Sequence, residues 1–185
     1  MRLFWRQGVA TTGVQDVVEA TGLSRSSLHA TFGGKQELYR AALEHYVRER
    51  SRPLLGRPEE DDRGLPAVGE FFAVLIERRC TGEFARWGCM FSNAHAGSEN
   101  GSPAVRAVLD RQHRYLRAAL VSAQRQGQLA EGADPDSAAD VLALLAHGVN
   151  LRSRAGADAR ELRATVTAAI AAFAAPAAPA ARSGQ

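Results

Sequence analysis

The densest polar chemistry in the chain lies in one short run, Ser24-Arg25-Ser26-Ser27-Leu28-His29-Ala30. Three hydroxyls, a guanidinium and an imidazole share this run, while its apolar partners Leu28 and Phe32 stand four residues apart. On a helix that spacing gathers Leu28 and Phe32 on one side and leaves the polar groups on the other. Such a face is suited to hydrogen bonding with phosphates and base edges rather than to breaking bonds. Upstream, Thr12 offers a hydroxyl with Gln15 three residues on, the pattern of a helix N-cap. Downstream, Lys35 opens the next helix and is the single lysine among 23 basic residues.

A second concentration is apolar: Phe71, Phe72, Phe84, Trp87, Met90, Phe91 and Tyr115, with His95, His113 and His147 as polar points. Two readings stand, an ordinary core or a ligand pocket, because both use these residue types. The pocket reading takes Phe71, Phe72, Trp87, Met90, Phe91, His95, Tyr115 and His147. Cys80 and Cys89 read as inert small hydrophobes or as a redox pair with Arg78, Arg79 and Arg86 nearby. Phe84 and Trp87 favour the inert reading. No nucleophile elbow, phosphate-cradling glycine loop, H-E-x-x-H or zinc-type His/Cys spacing occurs, so no enzyme, metal or cofactor is expected.

The elements that position these groups all have helical period, and no run alternates as a strand does; the fold expected is all-α. A first helix stops at Gly8. Two short helices follow, Thr12 to Ala20 and Ser24 to Thr31, joined by Thr21-Gly22-Leu23, and a longer one runs from Lys35 to about Arg50. Two short helices around a tight glycine turn describe a helix-turn-helix. Residues 51–65 read as a linker carrying the acidic run Glu59-Glu60-Asp61-Asp62. Pro66 starts a helix with the stripe Val68, Phe71, Phe72, Leu75 and Ile76. A shorter helix is expected from Arg86 to Gly97, then a long one capped by Ser102 after a Gly101-Ser102 turn. Asp134-Pro135 and Asp158-x-x-Glu161 open the last two helices.

Composition sets the frame. Of 185 residues, 45% are apolar and 23% charged, a globular balance. The net charge is +3, and residues 1–50 carry seven basic and five acidic groups, so charge alone does not argue for nucleic acid. The apolar stretch from Ala138 to Val149 is too short for a bilayer, and no secretory leader pattern is present. Two cysteines give no disulfide framework. The expectation is a cytoplasmic protein without membrane partners.

The stretch from Phe4 to Leu43 resembles the DNA-binding domain of the TetR family of bacterial transcriptional regulators. The residues that carry it are Leu3-Phe4…Gly8, Thr12-Gly13-Val14-Gln15-Asp16-Val17, Gly22-Leu23-Ser24-Arg25-Ser26-Ser27-Leu28 and Phe32-Gly33-Gly34-Lys35-Gln36-Glu37-Leu38-Tyr39. The resemblance implies phosphate contacts from Thr12 and Lys35, base-edge positions at Arg25, Ser26 and Ala30, and Ser27 close to the phosphates. His29 stands where the family usually has a phosphate-contacting tyrosine. Ser24 belongs to the same polar turn. Family members usually begin a dozen or more residues before Leu3, so the native chain is expected to start upstream.

The expectation is therefore a DNA-binding domain over 1–50, a helical ligand-binding and dimerisation domain over 51–175 and a disordered tail over 176–185. Its partners would be double-stranded operator DNA, a small-molecule effector and a second copy. The dimer seam is expected on 136–155 and 162–173, with Ala138, Ala139, Ala146 and Gly148 allowing close approach. The alternatives are a thiol-based sensor on the same scaffold and a helical ligand-binding protein without DNA function.

Overall fold

The computed structural model describes residues 1–55, 61–95 and 103–176. Glu59 and Glu60, the Gly101-Ser102 turn with its Ser102 cap, the expected helix end at Gly97 and the tail beyond 176 lie outside the described residues, as does the side chain of His95. The helices are α1 (Arg2–Gln7), α2 (Val14–Thr21), α3 (Arg25–Phe32), α4 (Lys35–Tyr46), α5 (Arg52–Leu55), α6 (Leu65–Cys80), α7 (Met90–His95), α8 (Pro103–Arg125), α9 (Pro135–Arg154) and α10 (Ala159–Ala171). A π-turn, Val47–Ser51, joins α4 to α5. Among the described residues extended pairing is limited to one bridge between Leu129 and Ala174.

Local chemistry explains most boundaries. Gly22 (φ 70°) and Gly33 (φ 84°) end α2 and α3 in the left-handed conformation that glycine adopts without a Cβ clash. Asp134 caps α9 by accepting from the backbone N–H of Ser137, and Asp158 caps α10 by accepting from that of Glu161. The boundaries before Met90 and after Tyr46 differ from the sequence reading. The helix expected from Arg86 begins only at Met90, because Arg86 (φ 64°) and Gly88 (φ 68°) are left-handed and cannot continue a right-handed turn. The helix from Lys35 changes from α to π winding after Tyr46.

The side chains form two cores. One joins Val68, Phe71, Phe72, Leu75 and Ile76 of α6 to Leu116 and Leu120 of α8, Leu142 and Val149 of α9, and Leu162 and Val166 of α10. The other joins Phe4, Trp5, Val17, Leu28, Tyr39, Leu43 and Tyr46 to Met90, Phe91 and Ala94 of α7 and Val105 of α8. The N-terminal helices therefore share their core with α7 and the start of α8.

Candidate nucleic-acid interface

The polar face of α3 is displayed as its spacing predicts. Leu28 is buried against the N-terminal core, whereas Arg25, Ser26, Ser27, His29 and Ala30 are exposed. Ser24 is the N-cap: its Oγ accepts from the Ser27 backbone N–H at 3.1 Å and lies 2.9 Å from the Ser26 and Ser27 hydroxyls. Arg25 reaches back and donates to Gln15 Oε1 at 3.0 Å, so α2 holds the guanidinium on the outer surface of α3. Leu23 donates its N–H to Thr21 Oγ1 at 3.3 Å, steadying the turn between the two helices.

Thr12 and Lys35 are placed differently from the sequence reading. Gly13, not Thr12, caps α2, and its N–H donates to Asp16 Oδ2 at 2.7 Å; the reciprocal carboxylate is Asp16, not Gln15. Thr12 is fully buried and its hydroxyl donates to the Gly8 carbonyl at 2.6 Å, which leaves no face open to a phosphate. Lys35 lies half-buried, and its Nζ donates to the carbonyls of Val9 and Thr12, each at 3.0 Å. Its ammonium ties the α1–α2 loop to the start of α4.

Trp5, which belongs to neither the DNA-contact set nor the pocket set, anchors α1. Its indole is fully buried, stacks on Phe84 with centroids 5.0 Å apart, and meets Tyr46 and Trp87 edge-on at 4.9 and 5.4 Å. Its Nε1–H donates to the Gly88 carbonyl at 3.1 Å. A buried indole needs an acceptor, and the Gly88 carbonyl supplies it. Gly88 fits this joint because a Cβ there would come within 3.1 Å of the Asn150 carbonyl. Beside it, the buried Arg79 guanidinium donates to Asn150 Oδ1 at 2.6 Å and to the Tyr46 hydroxyl at 3.3 Å. One side chain thus links α4, α6 and α9.

The residues of the expected ligand pocket are divided between the two cores. Phe71, Phe72 and Tyr115 pack together in the C-terminal core, with Phe71 5.1 Å from Phe72 and 5.5 Å from Tyr115. Met90 and Phe91 are buried in the N-terminal core, and Trp87 packs against it. His147 is half-buried, with Nδ1 3.3 Å from Ser92 Oγ. His95 ends α7. Among the described side chains, these residues are thus shared between the two cores. Cys80 and Cys89 are free thiols that pack against different cores. Burial pushes the Cys80 thiol up from its ordinary value, in keeping with the inert reading.

Comparison with known proteins decides the family. The model for bacterial regulatory proteins of the tetR family matches residues 1–42, and the tetracyclin repressor-like C-terminal domain matches 64–169, more than half of the chain. The chain belongs to the TetR family. It is 28% identical to the HTH-type transcriptional repressor ComR of Escherichia coli over 168 residues, covering 88% of this chain and 79% of that protein. It is 26% identical to the uncharacterized HTH-type regulator YezE of Bacillus subtilis, covering 75% and 73%. The structure of a cysteine mutant of the TetR-family regulator CifR, complexed with 26-bp double-strand operator DNA, superposes with TM-score 0.78 at 25% identity, covering 92% and 90%. As a TetR-family chain this protein is a DNA-binding transcriptional regulator, not an enzyme. No helix among the described residues is long and apolar enough to cross a membrane.

Proposed function

We propose that this TetR-family regulator is a cytoplasmic homodimer that represses by occupying double-stranded operator DNA and leaves it when a small-molecule effector binds the C-terminal helices. The exposed face of α3 carries the reading: Arg25, Ser26 and Ala30 serve the base edges and Ser24, Ser27 and His29 the neighbouring phosphates. The α2–α3 geometry and the resemblance to an operator-bound relative support that assignment. Lys35 acts through position, holding the loop that presents the N-terminus of α2, and any phosphate contact uses its one remaining N–H.

The second copy is best placed on α9. Val141, Leu144 and Leu151 are 48%, 71% and 45% exposed and, with the half-buried Gly148, form a stripe at helical spacing. Ala138, Ala139 and Ala146 face inward and belong to the chain's own core, so the seam uses the opposite side of the helix from those alanines. An exposed apolar stripe on a helix otherwise packed in the core favours self-association. Fluorescence anisotropy with DNA flanking the protein's own gene, titrated with salt, tests the reading. Specific binding at least ~1000-fold tighter than to random DNA is expected, with affinity falling as salt rises. Equal affinity for both DNAs would reject it.

A further inference from the structure

The joint between the N-terminal helices and α6 contains a cleft of about 420 Å³ lined by Arg50, Val74, Glu77, Arg78, Glu83 and Phe84, with Thr81 and Gly82 completing its wall. Arg50 sits on the π-turn that continues α4, and Arg78 on the last turn of α6. The two are held side by side because Arg78 Nη1 donates to the Arg50 carbonyl at 3.2 Å. The Arg50 guanidinium lies over Phe84, 4.6 Å from the ring centroid. Among the described residues no carboxylate lies within ion-pairing distance of Arg50 or Arg78, and Glu83 is paired with Arg2. Neighbouring guanidinium groups that form no ion pair among the described residues, set beside an aromatic ring, can take a carboxylate or sulfonate carried on a flat apolar body, with Glu77 and the Arg2-paired Glu83 also in the cleft wall. Burial, then Arg50 and Arg79, hold Arg78 below its ordinary value, so an arriving anion would relieve repulsion already present.

We propose that this cleft binds a planar organic anion, an aromatic carboxylate or sulfonate, with its acid group between Arg50 and Arg78 and its ring against Phe84 and Val74. The inference rests on the effector-responsive reading above and gives that effector a chemistry and a place. An anion bridging Arg50 and Arg78 draws the end of α4 toward α6. The π-turn between them, a single-turn departure from α winding, is the segment we assign to yield. Because α4 carries the tether to the DNA-reading helices, occupancy is coupled to their placement.

The test uses the full chain and two probes of nearly equal shape, 8-anilinonaphthalene-1-sulfonate and the neutral N-phenyl-1-naphthylamine, titrated calorimetrically. The sulfonate is expected to bind once per chain and at least ~10-fold tighter than its neutral counterpart. Arg78→Gln and Arg50→Gln should each weaken the sulfonate ~10-fold with unchanged circular dichroism, while Arg160→Gln, an exposed position on α10, leaves it unaltered. Because Arg50 also stacks on Phe84, Arg78→Gln alone decides if Arg50→Gln does not fold. Equal affinity for the two probes, or sulfonate binding indifferent to Arg78→Gln, overturns the proposal. Operator binding without probe is measured in parallel. Arginine-dependent sulfonate binding by a chain that ignores DNA upholds the cleft and rejects the regulator reading; operator binding with no selective sulfonate binding rejects the cleft alone.

Discussion

Lys35 gives two of its three ammonium hydrogens to the Val9 and Thr12 carbonyls, so most of its hydrogen-bonding capacity works inside the protein. Among the described residues Arg25 is tied only to Gln15, on the outer surface. The two cations should therefore behave differently on removal. Lys35→Ala leaves two carbonyls without their donor and is expected to lower unfolding free energy by ~1–3 kcal/mol in a urea titration without DNA. Arg25→Ala should change stability by no more than ~0.5 kcal/mol, yet relax base preference at one operator position by ~1–3 kcal/mol across an operator library. The Cys80 thiol gives a pH prediction. Its folded pKa is raised above the unfolded value by burial, so its contribution to stability is full below about pH 8.5 and is lost as pH rises through the folded value. Iodoacetamide at pH 8 should label Cys80 more slowly than free cysteine.

At the scale of elements, the start of α2 shows how a motif is read correctly and its members wrongly. A small residue followed three positions later by a side-chain acceptor does mark the helix start, but the pair is Gly13 and Asp16, one residue later than Thr12 and Gln15. Both registers satisfy the pattern, and only the burial of Thr12 against Gly8 selects between them. Asp16→Ala is expected to cost about 1 kcal/mol of stability and Gln15→Ala much less, measured by chemical denaturation. The π-turn after Tyr46 had no comparable signal in the sequence.

For the whole molecule, the decisive feature is that α1 is anchored both on α4 and beyond the N-terminal helices. Trp5 is fully buried among Tyr46, Phe84 and Trp87 and bonded to Gly88, and Arg154 of α9 donates to the Arg6 carbonyl at 3.1 Å. Trp5→Ala is expected to destabilise the protein by ~3–5 kcal/mol, with the DNA-binding and C-terminal probes unfolding together because they share this core. Dimerisation belongs to the same scale. Leu144→Glu, at 71% exposure, should leave the monomer folded while sedimentation shows loss of the dimer, and operator affinity should fall with it. A dimer insensitive to Leu144→Glu would move the seam elsewhere.

The sequence by itself determined the helices with strong period and end signals. Examples are the Ser24 cap and Gly22 and Gly33 stops around α3, the stripe of α6, the Asp134 and Asp158 caps, and the outward polar face of Arg25 to Ala30. Those features depend on contacts within a few residues, which a linear pattern records. Tertiary structure alone decided that Phe71 and Trp87 belong to different cores, that Thr12 and Lys35 face inward, and that Arg50 and Arg78 meet at the joint. Each of these turns on which distant backbone carbonyl or side chain arrives beside a residue, and a partner tens of residues away leaves no mark in local spacing or composition.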